Sequence, residues 1–230
     1  MKGFILAAGE GTRLHPVTLG TPKPLLLIRE TPILTYLVNL YLKYGVNDIR
    51  INIQKKHCED FYKWKAKYFP DERIEFLIEE KPTGTFTPLV KVDKAWFSEP
   101  ILVSNGDELK SLNLREMINW HLQKGEIATV GLVKVKTPEI YGVARMEGDK
   151  IIEFVEKPEI FISFYINSGL YVLNPEIRNY FPKTKFAMVE TDLFPQLAKE
   201  KKLLGYKIKG KWQDVGTFEK WELAIRNWRL

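Results

Sequence analysis

Cysteine occurs once in the 230 residues, at Cys58. A single thiol excludes any internal disulfide and fits a reducing compartment. Histidine is nearly as scarce: His15, His57 and His121 are too scattered to form a metal cluster, and the adjacent His57 and Cys58 lack ligand spacing and read as the start of a surface helix. No apolar run approaches the roughly 18 residues a membrane-spanning helix needs, and the first apolar stretch, Gly3 to Ala8, is too short for a signal core. The chain therefore reads as cytoplasmic, with no membrane partner. Proline-, glycine- or serine-rich linkers, low-complexity tracts and internal repeats are also missing, which argues for one domain. No excess of acid is present: 35 Lys and Arg face 29 Asp and Glu, a net charge of +6, so anionic partners such as phosphates or nucleotides are favoured. The basic patch Lys199, Lys201, Lys202, Lys207, Lys209 and Lys211 has no accompanying helix-turn-helix, RNA-binding or zinc-finger pattern. It reads as a solvated face, and nucleic acid is not an expected partner.

Hydrophobic residues make up 45% of the chain, enough to bury a full core. The run KGFILAA (Lys2 to Ala8), closed by glycine, has the continuous apolarity of a buried parallel strand. Pro32 then opens an amphipathic helix that stops at Gly45, and DIRINI (Asp48 to Ile53) follows as a strand, completing a βαβ unit. The alternation continues with a helix over Cys58 to Tyr68, a strand Ile74 to Ile78, a helix Pro88 to Ala95, a strand Pro100 to Ser104 and a helix Leu112 to Lys124. Thereafter extended runs dominate: Ile127 to Val135, Tyr141 to Met146, Ile151 to Lys157 and Ile166 to Leu173, with a last strand over Leu203 to Ile208 and a terminal helix from Thr217. The expected fold is α/β, Rossmann-like, with a mixed, mainly parallel sheet flanked by helices.

Three segments carry candidate chemistry. LAAGEGTRL (Leu6 to Leu14) places Gly9 and Gly11 directly after the first strand, where backbone N–H groups can converge on phosphate oxygens and Arg13 offers a fork of donors. It is neither a P-loop, since no Gly-Lys-Ser/Thr follows, nor a dinucleotide fingerprint, since the third glycine is missing. TPKPL (Thr21 to Leu25) clamps Lys23 between two prolines and so presents its side chain in a fixed direction. SNGD (Ser104 to Asp107) falls at the C-terminal end of the fourth strand, where open α/β sheets bind ligands, and Asp214 lies in WQDVGT just before the terminal helix. If Asp107 and Asp214 meet, they make a hard oxygen site suited to Mg²⁺.

LAAGEGTRLHPVTLGTPKPLL resembles the signature of the sugar-nucleotide pyrophosphorylase (sugar-1-phosphate nucleotidylyltransferase) family, closest in look to short mannose-1-phosphate guanylyltransferase-like members. The later landmarks PTGTFTPL, SNGD, YGVARM, FVEKP, NSGLYVLNP and WQDVGT come in that family's order. The resemblance implies a single nucleotidyltransferase domain over residues 1–230, with a nucleotide-binding half (1–125) and a sugar-binding half (126–230). Its partners would be a nucleoside triphosphate and a sugar 1-phosphate, and its cofactor Mg²⁺ on Asp107 and Asp214. It further implies that Ala7, Ala8, Gly9, Gly11, Thr12, Arg13, Lys23, Gly84 and Thr85 bind nucleotide. On the same resemblance, Arg13, Lys23 and Asp107 would act at the reacting phosphates, and Gly142, Glu156, Lys157 and Asn167 would bind the sugar phosphate.

One departure stands out. The family usually has Gly-Thr-Ala-Gly in the base-binding segment, where this chain has Gly84-Thr85-Phe86-Thr87. A phenyl ring there is expected to narrow or reshape the base site. The following Pro88-Leu89 resembles the guanylyltransferase branch, so mannose 1-phosphate with GTP is the expected pair; cytidylyl, uridylyl or thymidylyl transfer, or a catalytically silent nucleotide-sugar-binding paralogue, are the alternatives. No left-handed β-helix follows, so no second activity is expected, and a homo-oligomer is left open.

Overall fold

The computed structural model describes residues 1–229. The chain folds into two compact units. The first comprises Met1–Pro82, Ser104–Asn113 and the stretch from Gly210 onward; the second comprises Thr83–Val103 and Leu114–Lys209. The units are thus interleaved along the sequence rather than divided near residue 125, because two distant segments return to pack with the N-terminal βαβ units.

In the first unit the strands Lys2–Leu6, Asp48–Gln54 and Arg73–Glu79 pair in parallel, with Lys2 opposite Asp48 and Asp48 opposite Arg73. The helices Ile33–Lys43 and Cys58–Tyr68 make the crossovers. Pro32 caps the first of them, and its buried Ile33, Leu34, Leu37, Val38 and Tyr41 form the apolar stripe that the 3.6-residue period demands. His57 immediately precedes the second and turns inward, its Nδ1 3.5 Å from Asp60 Oδ2. Two short strands are not legible in the sequence: Glu108–Leu112 and Gly210–Asp214 form an antiparallel ribbon, with Gly210 opposite Leu112 and Asp214 opposite Glu108. The helix expected from Leu112 therefore begins at Leu114, and Leu203–Ile208 is not the last strand. ELKSL and GKWQD are too short and polar to announce themselves; their pairing across nearly a hundred residues creates the ribbon. A core of Leu14, Leu26, Ile28, Ile33, Leu109, Val215, Ala224 and Trp228 seats the ribbon and the terminal helix Phe218–Asn227.

In the second unit five strands pair in the order Tyr165–Leu173, Ala128–Lys134, Leu203–Lys207, Lys150–Glu156 and Gly142–Glu147. Ala128–Lys134 runs antiparallel to Tyr165–Leu173 and parallel to Leu203–Lys207. Gly142–Glu147 and Lys150–Glu156 form a hairpin, and Ile166 pairs in addition with Val143. The helix expected over Pro88 to Ala95 is only Thr87–Lys91. Val92 is already extended, and the Asp93 carboxylate accepts from the N–H groups of Ala95 and Trp96, which turns the chain away. Parallel βαβ pairing and a mixed sheet with flanking helices together place the chain in the Rossmann-like α/β class. Among the described residues no helix is long and apolar enough to cross a membrane.

Candidate active site

The first strand delivers the chain into a loop at Ala7 that is held from below by two buried amides of the neighbouring strand. Asn52 Oδ1 accepts from Ala7 N at 3.0 Å, and Gln54 Nε2 donates to Ala8 O at 2.6 Å. Asn52 is itself oriented by donating Nδ2 to Glu79 at 3.3 Å. Being two residues apart on a strand, Asn52 and Gln54 share one face. The loop then tightens into the turn Thr12–Leu14 through Gly11, whose φ of +65° is left-handed. A Cβ there would press to 3.1 Å from Thr18 and 3.3 Å from Lys23, while Gly11 O accepts from the Thr18 hydroxyl at 2.8 Å. Gly9 lies between the brace and that turn, Thr12 opens the turn, and Arg13 within it is exposed.

Lys23 is buried in the turn Lys23–Leu25 that follows Pro22, and its Nζ sits 2.6 Å from Asp107 Oδ2. Asp107 follows Gly106, whose N–H donates to Leu6 O at 2.8 Å and ties this segment to the first strand. Burial pushes the Asp107 carboxyl up, but the charge and hydrogen bond of Lys23, with the charge of Lys110, outweigh it and hold the group below its ordinary 3.8. The neighbouring Glu108 goes the other way: burial and the Asp107 charge raise it above 4.5 against the opposing pull of Lys110 and Trp212.

The ribbon register sets Asp214 opposite Glu108, so Asp107 and Asp214 come to the same end of the two strands. Asp214 Oδ2 is 2.6 Å from Lys220 Nζ. The Arg13 guanidinium lies over Gly216, where an added Cβ would meet it at 3.2 Å and Asp214 Oδ1 at 2.8 Å. Loop, lysine, arginine and both aspartates are thus gathered in one unit. Among the described residues no group of three or more His, Cys, Asp or Glu is placed to hold a metal. Two carboxylates nonetheless suit Mg²⁺, which takes one or two and completes its shell with water and phosphate oxygens.

The second unit gathers the other candidates. Gly142 lies opposite Glu156, Lys157 N donates to Tyr141 O at 2.9 Å, and the pairing of Ile166 with Val143 brings Asn167 alongside Gly142. Lys157 Nζ is 3.8 Å from Glu156 Oε1, while burial raises the Glu156 carboxyl against the Lys157 charge. Asn167 is fixed by donating to Tyr171 Oη at 2.9 Å and accepting from Gly169 N at 2.9 Å. Gly84 and Thr85 are held by a different element. Gly84 has φ +90° against Ala187, and Thr85 Oγ1 donates to Glu190 Oε2 at 2.6 Å while accepting from Val189 N at 2.9 Å. Phe86, the departure in this segment, packs inward. Its ring is fully buried, edge-on to Phe181 at 5.4 Å, and serves the core.

Sequence reasoning missed Asn52, Gln54, Glu108, Lys110 and Lys220. For the first two a signal existed, since polar residues at alternate positions of an apolar strand ask for partners. For Lys220 it was a cation in the first turn of a helix, where the dipole disfavours it.

Open α/β sheets take their ligands outside the carboxyl ends of the strands, which is where the glycine loop and the Lys23–Asp107 pair lie. The family described as Nucleotidyl transferase matches residues 2–227, and the chain belongs to it. Its relatives include the mannose-1-phosphate guanyltransferase of Debaryomyces hansenii, 36% identical over 224 residues, and the mannose-1-phosphate guanylyltransferase catalytic subunit beta of Xenopus tropicalis, 34% identical over 223. Each alignment covers 94% of this chain, which spans only 61% of the length of these curated relatives. Among solved structures, a Bacillus anthracis protein assigned as a glucose-1-phosphate thymidylyltransferase and crystallised with sucrose matches 100% of this chain and 97% of its own, with a TM-score of 0.90 and 28% identity. A UDP-glucose pyrophosphorylase complexed with UDP-glucose, 24% identical with a TM-score of 0.82 and 98% of each chain covered, bears on the fold alone.

Proposed function

We propose that the protein transfers a nucleoside monophosphate from a nucleoside triphosphate to a sugar 1-phosphate, releasing pyrophosphate, with GTP and mannose 1-phosphate as the substrates. The observation that carries this reading is the Lys23–Asp107 pair set beside the Gly9–Arg13 loop and the Asp214 end of the ribbon. The likeness to guanylyltransferases over 94% of the chain supports the base and the sugar.

A sugar 1-phosphate is largely dianionic at neutral pH, since a phosphate monoester has a second pKa near 6, so the nucleophile needs little help from a general base. One of its oxygens forms a bond to the α-phosphorus as the bond to the bridging α–β oxygen breaks, and pyrophosphate carries away the electron pair. The obstacle is bringing anion onto anion. This chain answers it with position and positive charge: the loop N–H groups and Arg13 hold the departing phosphates, and Lys23 faces the reacting centre. Asp107 and Asp214 would hold Mg²⁺, which when bound supplies charge neutralisation at the phosphates. Glu156, Lys157, Gly142 and Asn167 are assigned to the sugar and its phosphate. The reaction belongs to the cytoplasm, without nucleic acid or membrane as partner.

The test is a matrix of ATP, CTP, GTP, UTP and dTTP against sugar 1-phosphates, read as pyrophosphate release, beside Asp107→Asn and Asp214→Asn. GTP with mannose 1-phosphate is expected to turn over best, and each variant to lose roughly 10²–10³-fold in kcat. Binding without turnover across the whole matrix would show a silent paralogue instead.

A further inference from the structure

Two lysine–aspartate pairs occupy the end of the ribbon, with the same contact distance but opposite burial. Lys23 Nζ holds Asp107 Oδ2 at 2.6 Å, and Lys220 Nζ holds Asp214 Oδ2 at 2.6 Å. Lys23 belongs to the phosphate machinery already described; Lys220 has no part in it. We propose that Lys220 is a second phosphate-binding residue, parked on Asp214 until a divalent cation takes that carboxylate and then turned onto the phosphates that arrive with the metal. The proposal rests on the functional reading above.

Four observations support it. First, Lys220 is the third residue of the helix Phe218–Asn227, in the turn where unpaired N–H groups and the helix dipole repel a cation. In the resting pair the Asp214 carboxylate offsets this repulsion, and a phosphate would do the same once Asp214 is taken. Second, the pair is more open on the lysine side: the Lys220 side chain is 28% exposed and Asp214 12%. A lysine carries its charge on a flexible four-carbon stem, so Nζ can swing while the carboxylate stays. Third, the backbone of Lys220 is pinned independently of its ammonium, since its N–H donates to Thr217 Oγ1 at 3.4 Å and its carbonyl accepts from Gln213 Nε2 at 3.3 Å. Releasing Nζ therefore need not undo the helix start. Fourth, Arg13 lies over Gly216, two residues from Asp214, so a displaced Lys220 and Arg13 flank one spot at the head of the helix. That spot has the donors and the sign of charge an oligophosphate requires.

The chemistry is an exchange of cations on one carboxylate oxygen, with no covalent change. An ammonium and a metal ion cannot share Asp214 Oδ2 at contact distance without strong repulsion. Lys220 therefore weakens metal binding in the absence of substrate and strengthens the binding of metal with phosphate, which makes the two ligands cooperative.

The experiment is calorimetric titration of the full chain with Mg²⁺ alone and with pyrophosphate in saturating Mg²⁺, for wild type, Lys220→Met, Lys220→Gln and Lys220→Arg. Both neutral variants are expected to bind Mg²⁺ about tenfold tighter and magnesium pyrophosphate about tenfold weaker, while Lys220→Arg keeps the wild-type order of affinities. Melting temperatures near that of the wild type identify which neutral variant to read. Unchanged or weaker Mg²⁺ binding in the neutral variants, or unchanged pyrophosphate binding, would overturn the proposal while leaving the functional reading intact, provided the wild type turns over. A wild type that binds neither Mg²⁺ nor pyrophosphate overturns both.

Discussion

The indole of Trp212 donates Nε1–H to Glu108 Oε2 at 2.8 Å, linking the strand that ends in Asp214 to the strand that follows Asp107. The same carboxylate oxygen takes Lys110 Nζ at 2.9 Å, and Asn105 Nδ2 reaches Glu108 Oε1 at 3.3 Å. Lys110 is buried and the Glu108 side chain is only 13% exposed, so this is a largely desolvated ion pair kept in place by neutral donors.

Breaking that latch from one side should therefore cost more than removing it. Glu108→Ala strands the Lys110 ammonium and is expected to lower stability by about 3–5 kcal/mol, whereas Trp212→Phe, which loses one hydrogen bond, should cost about 1 kcal/mol. Glu108→Ala combined with Lys110→Met should recover much of the loss. Urea denaturation of the four proteins decides the matter; equal costs for all three variants would show that the pair is not buried as a unit.

The brace under the Gly9–Arg13 loop predicts a kinetic effect. Gln54→Leu leaves the Ala8 carbonyl without its side-chain donor and frees the backbone just before Gly9. A loop displaced by a fraction of an ångström should reduce kcat/KM for the nucleoside triphosphate by roughly 10–100-fold. Steady-state pyrophosphate release, with the sugar 1-phosphate saturating, measures it, and Gln54→Glu should not rescue, because it has no N–H to offer when ionised.

Gly84 and Gly125 both have positive φ, at +90° and +68°, but their surroundings differ. A methyl group on Gly84 would lie 2.2 Å from the Ala187 carbonyl oxygen, while at Gly125 nothing stands within 4 Å. Gly84→Ala is expected to cost more than about 3 kcal/mol and Gly125→Ala about 1 kcal/mol. Thermal melts of the two variants side by side test the difference, and equal melting temperatures would refute it.

His121 makes part of the stability pH-dependent. Its ring is buried, with Nδ1 2.8 Å from Thr129 Oγ1 and Nε2 3.0 Å from Asn174 Oδ1. Burial lowers its pKa below 6.5, and the Asn174 hydrogen bond opposes this only in part. The folded protein therefore binds fewer protons here than the unfolded chain. The contribution is full above 6.5 and is lost as the pH falls through the depressed value. Glu156, raised by burial, works in the opposite sense: its contribution is full below 4.5 and lost as the pH rises through its elevated value. Denaturation midpoints of wild type and His121→Gln at about pH 7.5 and about pH 5.5 separate the two, and the wild type should lose more stability on acidification than the variant.

Local pattern carried the βαβ beginning. Pro32 and Gly45 bracketed the first long helix, continuous apolarity marked the strands from Lys2 and Asp48, and the structure places these elements within a residue or two of those bounds. The motifs around Gly9, Lys23, Asp107 and Asp214 were legible for the same reason, because each is a short stretch whose residue types already limit what the backbone can do. The ribbon was not legible. Five-residue segments such as Glu108–Leu112 and Gly210–Asp214 contain too little periodicity to be read alone, and their strand character comes from each other.

The order of chemical groups along the chain, and hence the family, was settled by the amino-acid sequence alone. Which lysine answers which carboxylate was decided only by tertiary structure. Nothing in the residues near position 23 points to position 107, and the register that sets Asp214 against Glu108 exists only once the chain has closed. Short-range sterics act between neighbours and can be read from one stretch, whereas charge pairing and desolvation depend on distances that no stretch contains.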